Sequence, residues 1–135
     1  MKNLITLSTT FEIFDPIYGS MPFSNVARII INKPEFQRLR YLKQLATCYL
    51  VFPSANHTRF SHSLGTYHLV DIFMTSLYAN SKIDDITNCF DKILQLSKYK
   101  TSYKVGETYD FDKIKELVKI AALCHDIGHG TYSHL

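Results

Sequence analysis

Apolar positions recur along most of the chain at spacings that predict helices. Leu64, Tyr67, Leu69, Ile72, Phe73 and Leu77 fill successive turns and predict a mostly buried helix running to about Ala79. Ile83, Ile86, Phe90, Ile93 and Leu94 predict another, reaching about Ser97. A last helix is expected from about Asp112, through Ile114, Leu117, Val118, Ala121 and Ala122, with Gly128 stopping it. Upstream, Phe36, Leu39, Leu42, Leu45 and Tyr49 predict a helix over about 34–48. Asn32 would cap it, Pro34 fits its first turn and Glu35 lies three residues after the cap. Ser24 would cap a short helix carrying Val26, Ile29 and Ile30.

Polar and turn-forming stretches punctuate these elements. Asp15-Pro16, Tyr18-Gly19-Ser20 and Pro22 predict a turn with a short strand pair around it. Pro53 ends regular structure within 49–58, and 98–111 read as an exposed loop or a ragged hairpin. The predicted fold class is all-α with that small N-terminal addition.

Composition narrows the class. A chain of 135 residues supports one domain with a real core. With 46% apolar and 20% charged residues it is not an intrinsically disordered chain. No apolar run approaches the ~20 residues of a membrane span, so no membrane partner is expected. The segment Met1–Leu7 is too polar for a secretory signal. The net charge of +3 suits a phosphate-bearing ligand without demanding one. Three cysteines with no CxxC pair point to a reducing, intracellular setting, cytoplasm or nucleus.

The candidate chemistry lies in the histidines. His57, His62 and His68 form one cluster, and His125, His129 and His134 another. The pair His125-Asp126 is the sharpest feature. Helical neighbours differ by about 100° in direction, so a cation at the flank of a helix end can touch both. Imidazole with carboxylate suits a borderline divalent ion such as Fe, Mn, Zn or Ni. A helix C-terminus with a dipole-stabilised histidine is the plainer account of a lone His-Asp pair. The i, i+4 spacing of His125 and His129 also matches a zinc-protease helix. That reading fails because Asp126 replaces the Glu base and Gly128 interrupts the helix. His62 follows the polar run Asn56-His57-Thr58-Arg59, and Arg59 is placed either to grip phosphate or to form a surface salt bridge. His57 and His68 carry no assigned role.

Four stretches together resemble the HD-domain metal phosphohydrolases, within them the deoxynucleoside triphosphate triphosphohydrolase branch. They are Asp15-Pro16-Ile17-Tyr18-Gly19, the run Phe36–Leu45, Tyr49–Pro53 with Arg59–Gly65, and Ala122–His134, in family order. The resemblance implies a helical HD bundle, of which this sequence supplies the N-terminal part, with 80–111 as an insertion or connector. It implies metal ligands at His62, His125 and Asp126, a phosphate contact at Arg59, a proton donor at His129 and a further active-site histidine at His134. Gln44 and Leu45 would line the deoxyribose. Asn32, Gln37 and Arg40 would fall in a weakened allosteric pocket, since the family's Asn before Asp-Pro is Phe14 here and its Asp is Asn32.

The implied reaction is attack of a metal-activated water on the α-phosphorus of a dNTP, giving deoxynucleoside and inorganic triphosphate, with Mg²⁺ accompanying the triphosphate. The family's last metal-ligand Asp lies downstream of the residues given. The expectation is therefore a fragment of a longer enzyme that forms a homo-oligomer when complete. The alternative is a non-catalytic HD remnant that binds nucleotide or a partner subunit. A weaker third reading is single-stranded nucleic-acid binding through Lys43, Lys98, Lys100 and Lys104 with Tyr41, Tyr99 and Tyr103.

Overall fold

The computed structural model describes residues 9–96 and 111–131. The expected loop over 98–111 and His134 lie outside them, apart from Phe111 itself. The described residues form five helices and one two-stranded sheet, so the expected partial helical bundle with a strand pair is what is found.

The chain opens with a hairpin, β1 (Thr9–Asp15) and β2 (Gly19–Ser24), paired antiparallel with Phe11 opposite Phe23 and Ile13 opposite Met21. Asp15 makes the turn: its Oδ1 accepts from the amides of Ile17 at 2.8 Å and Tyr18 at 3.2 Å. Gly19 follows at φ 72°, a conformation that favours glycine. Met21 and Phe23 face the core. Ser24 then caps α1 (Asn25–Ile31), its Oγ accepting from the Ala27 amide at 3.1 Å.

The helix expected over 34–48 does not form. Only α2 (Pro34–Gln37) is α-helical, followed by a 3-10 helix over Arg38–Tyr41 and another over Cys48–Leu50. Pro34 does open α2, but Asn32 is the C-cap of α1 rather than its N-cap, and Lys33 stands at that position without a side-chain bond. Leu42 turns extended, and the chain pairs with the segment before the next helix. The Gln44 amide donates to the His57 carbonyl at 3.1 Å and the Arg59 amide to the Leu42 carbonyl at 2.8 Å. Phe36, Leu39 and Leu42 are buried as anticipated. Their strict three-residue spacing suits a 3-10 path, where i and i+3 eclipse, better than a 3.6-residue helix.

Helix α3 (Arg59–Asn80) starts at Thr58, whose hydroxyl accepts from the Ser61 amide. Its first half carries Phe60, Leu64 and Tyr67 into the core, but Leu69, Ile72, Phe73 and Leu77 stay exposed, so the helix is not mostly buried as expected: past Tyr67 only Met74 is buried among its apolar residues. Helix α4 (Ile83–Leu96) follows. Helix α5 (Phe111–Cys124) runs back along α3, Lys115 meeting Thr75 and Ala122 meeting Thr66. It ends at Cys124, four residues before the expected stop at Gly128, because 125–128 tighten into a turn with the Ile127 amide on the Cys124 carbonyl. A charged strap closes the α3–α5 contact. Lys119 lies 2.8 Å and Lys115 3.0 Å from the Asp71 carboxylate, and Lys119 sits over the Tyr67 ring.

Candidate metal centre

Two elements bring the site together. Arg59 and His62 are three residues apart in the first turn of α3, so they share a face. His125 and Asp126 come just after α5, held there by Leu123, which is fully buried. The antiparallel packing of α3 on α5 sets the start of one helix against the end of the other. The dyad is thus in a turn, not on the helix.

Asp126 is the hub and is only 4% exposed. Its Oδ2 accepts from Arg59 Nη1 at 2.8 Å and lies 4.0 Å from His62 Nε2. Its Oδ1 is 3.2 Å from His125 Nε2 and 3.4 Å from His129 Nε2. The Arg59–Asp126 pair is buried, which corrects the surface salt bridge considered for Arg59.

The donor set fits a divalent cation. His125 Nδ1 is 2.7 Å from the Ala122 carbonyl, which can only accept, so Nδ1 holds the proton and Nε2 presents a lone pair in the neutral ring. Burial pushes the His62 imidazole below its ordinary pKa of 6.5. Asp126 opposes this, and the nearness of His125, Arg59 and His57 pushes it further down. His62 is therefore neutral near pH 7. The two Nε2 atoms are 3.2 Å apart, a separation that imidazoles on metal–nitrogen bonds of about 2.1 Å subtend at roughly 100°. The ligand atoms of His62, His125 and Asp126 all lie within 4.8 Å of one another. Beside His62, a cleft of about 260 Å³ opens between the hairpin turn and α3, lined among others by Asp15, Tyr18, His57 and Ser61.

The other residues singled out in the sequence lie around this group. Gln44 sits on the stretch paired with His57, its Oε1 buried without a hydrogen-bond partner, and Leu45 beside it is half exposed. Gln37 Nε2 donates to the Ile31 carbonyl and Gln37 Oε1 accepts from Arg40 Nε, both at 2.7 Å. Arg40 also lies over the Phe60 ring, and Asn32 is exposed. Lys43 is engaged by Asn56. The other lysines of the nucleic-acid reading lie outside the described residues. One residue escaped the sequence reading: Arg38 donates to the carbonyls of Ile127 and His129. Nothing in the spacing links positions so far apart.

A helical assembly in which a His-Asp pair meets a histidine from another helix agrees with the resemblance to HD-domain proteins, and the chain is similar in sequence to proteins of that kind. Its relatives include deoxynucleoside triphosphate triphosphohydrolases. It is 37% identical over 136 residues to deoxynucleoside triphosphate triphosphohydrolase SAMHD1 of Bos taurus, matching 100% of this chain and 19% of that one. For the Homo sapiens protein of that name the identity is 36% over 131 residues, 97% of this chain and 17% of that one. An HD domain-containing protein of Acanthamoeba polyphaga mimivirus is 41% identical over 121 residues, 88% of this chain and 23% of its own. The chain thus spans about a fifth of the length of these relatives. The crystal structure of a hypothetical protein from Aquifex aeolicus matches 92% of this chain and 25% of its own, at 39% identity and a TM-score of 0.57. No protein-family model matches the chain.

Proposed function

We propose that this chain carries the metal-binding and phosphate-facing part of a dNTP triphosphohydrolase, a hydrolase that releases deoxynucleoside and inorganic triphosphate. The observation that supports this most is the convergence of His62, His125 and Asp126, from two distant segments, with His125 Nδ1 engaged by the Ala122 carbonyl so that its Nε2 faces the group. These three residues would hold Fe, Mn, Zn or Ni, and Mg²⁺ would accompany the triphosphate. A cation bound there supplies Lewis-acid polarisation of water and of phosphate oxygen.

The chain's own residues do the rest. Arg59 fixes the Asp126 carboxylate through Oδ2 and brings a permanent positive charge to the phosphate side. His129 holds a proton at Nε2 against Asp126 Oδ1 and passes it to the leaving 5′-oxygen. Gln44 and Leu45 line the deoxyribose, Leu45 being half exposed and Gln44 Oε1 buried. His134 adds a further polar group, and Asn32, Gln37 and Arg40 a weak regulatory nucleotide pocket. The exposed apolar run Tyr41, Leu50, Val51 and Phe52 is in keeping with self-association.

The test is to measure metal content, then deoxynucleoside and triphosphate release from each dNTP with Mn²⁺ and Mg²⁺ present. Release that disappears in His62→Ala and in His125→Ala supports the proposal. A chain that retains no metal and releases neither product refutes it. A second reading is a nucleotide-binding HD unit without catalysis. Saturable dGTP binding without release would select that reading.

A further inference from the structure

The turn that carries the dyad is closed by the Ile127 amide on the Cys124 carbonyl and the His129 amide on the Asp126 carbonyl, both at 3.1 Å. Residues 125–130 read His-Asp-Ile-Gly-His-Gly. Gly128 and Gly130 are exposed, and a Cβ at either would meet nothing within 4 Å. Glycine in an unpacked turn adds backbone freedom. Yet this turn must keep Asp126 between Arg59 and three histidines, with His129 Nε2 3.4 Å from its Oδ1.

From a segment about 90 residues earlier in the chain, Arg38 reaches into this turn. Its Nη1 donates to the His129 carbonyl at 2.9 Å and its Nη2 to the Ile127 carbonyl. The two carbonyls flank Gly128, where no side chain adds packing. Arg38 is itself well rooted. It begins the 3-10 helix between Phe36 and Leu39, both 0% exposed. A planar guanidinium fixes two acceptors at once, which a lysine ammonium does not. Its charge also sits favourably past the carbonyl end of α5.

We infer that Arg38 is a positioning residue of the metal centre: it grips the carbonyls on either side of Gly128 and so holds Asp126 and His129 in register with His62 and Arg59. It touches neither the cation nor the substrate. The inference rests on the proposed metal site, and its test separates the two.

Parent, Arg38→Met and Arg38→Lys chains are titrated with Co²⁺ and followed by visible absorption. Amide exchange at Ile127 and His129 and unfolding in urea are measured alongside. Loss of supporting contacts around metal ligands costs about tenfold or more in affinity. Arg38→Met is expected to bind Co²⁺ about tenfold more weakly with an altered band shape, and to exchange those two amides about tenfold faster. Arg38→Lys recovers only part of the affinity. Met74→Ala, which loosens the core further along α3, lowers the urea midpoint but keeps the parent band shape. A folded Arg38→Met chain with parental affinity and spectrum overturns the inference. If Arg38→Met does not fold, parental Co²⁺ binding by Arg38→Lys overturns it instead. If the parent binds no Co²⁺, the metal reading fails, and unchanged exchange at Ile127 and His129 would sink the role of Arg38 independently.

Discussion

Replacing Asp126 by Asn tests whether the hub of the site is also a structural keystone. The change keeps the shape and removes one charge. Arg59, at 2% exposure, then keeps a guanidinium whose Nη1 lay 2.8 Å from the carboxylate. An amide oriented to accept from Arg59 turns its NH2 toward His125 and His129. Oriented the other way, it opposes a donor to Nη1. Breaking one partner out of a buried ion pair costs about 3–5 kcal/mol. An exposed pair is worth about 0–1 kcal/mol, and Lys115–Asp71, with side chains 22% and 28% exposed, lies nearer that class.

The assay is urea unfolding at pH 8 with chelator present, so that neither metal binding nor histidine charging enters. With a slope of about 1.5 kcal/mol per molar urea, a 3 kcal/mol loss moves the midpoint down by about 2 M. Adding Arg59→Met to Asp126→Asn should restore a large part of the loss, because the stranded charge is gone. Lys115→Ala should cost about 1 kcal/mol or less. An Asp126→Asn chain within 1 kcal/mol of the parent, no worse than Lys115→Ala, would refute the buried-pair argument.

Other consequences are equally open to measurement. Mn²⁺ at about one hundred times its dissociation constant should raise unfolding stability by about 2.7 kcal/mol, reversed by chelator, and His62→Ala should abolish the gain. Leu123→Ala, at a fully buried position next to the dyad, should cost about 2–5 kcal/mol by urea titration. Burial holds His62 below its ordinary pKa, so the unfolded chain takes up that proton first. The metal-free stability should therefore fall as pH drops below 6.5 and through the folded value, and fall less in His62→Gln. Burial raises the Asp71 pKa and lowers that of Lys119, but their mutual bond, with Lys115 also on Asp71, outweighs this and shifts both the other way. The strap should thus weaken as pH falls below 3.8 for Asp71 and as pH rises past 10.5 for Lys119, both of which Asp71→Asn should blunt.

The sequence displayed its elements wherever one periodicity held over several turns. The hairpin, α3, α4 and α5 follow their apolar spacing and turn residues closely. The segment after Pro34 misleads because two geometries bury the same residues. Phe36, Leu39 and Leu42 reach the core whether the backbone is helical or passes from a 3-10 turn to an extended bridge. The pairing of Gln44 with His57 decides between them, and no local propensity encodes it. The dyad and His62 were legible as chemistry, since clustered histidines with an adjacent carboxylate are unusual in a core. The burial of Arg59 and the reach of Arg38 were not. Both depend on contacts across 67 and about 90 residues of chain, which spacing along the sequence does not report.

The charge balance at the site bears on what it can bind. Asp126 is the one carboxylate among the described ligand group, and Arg59 already neutralises it at 2.8 Å. His62 is held neutral by burial, and the His125 ring presents its lone pair. Among the described residues a dication entering this group meets one carboxylate, and that carboxylate is already shared with Arg59. The cleft beside His62, past His57 and Ser61, is the open approach to it, so an anion arriving there would meet the cation's charge before that of Asp126, which is buried beside Arg59.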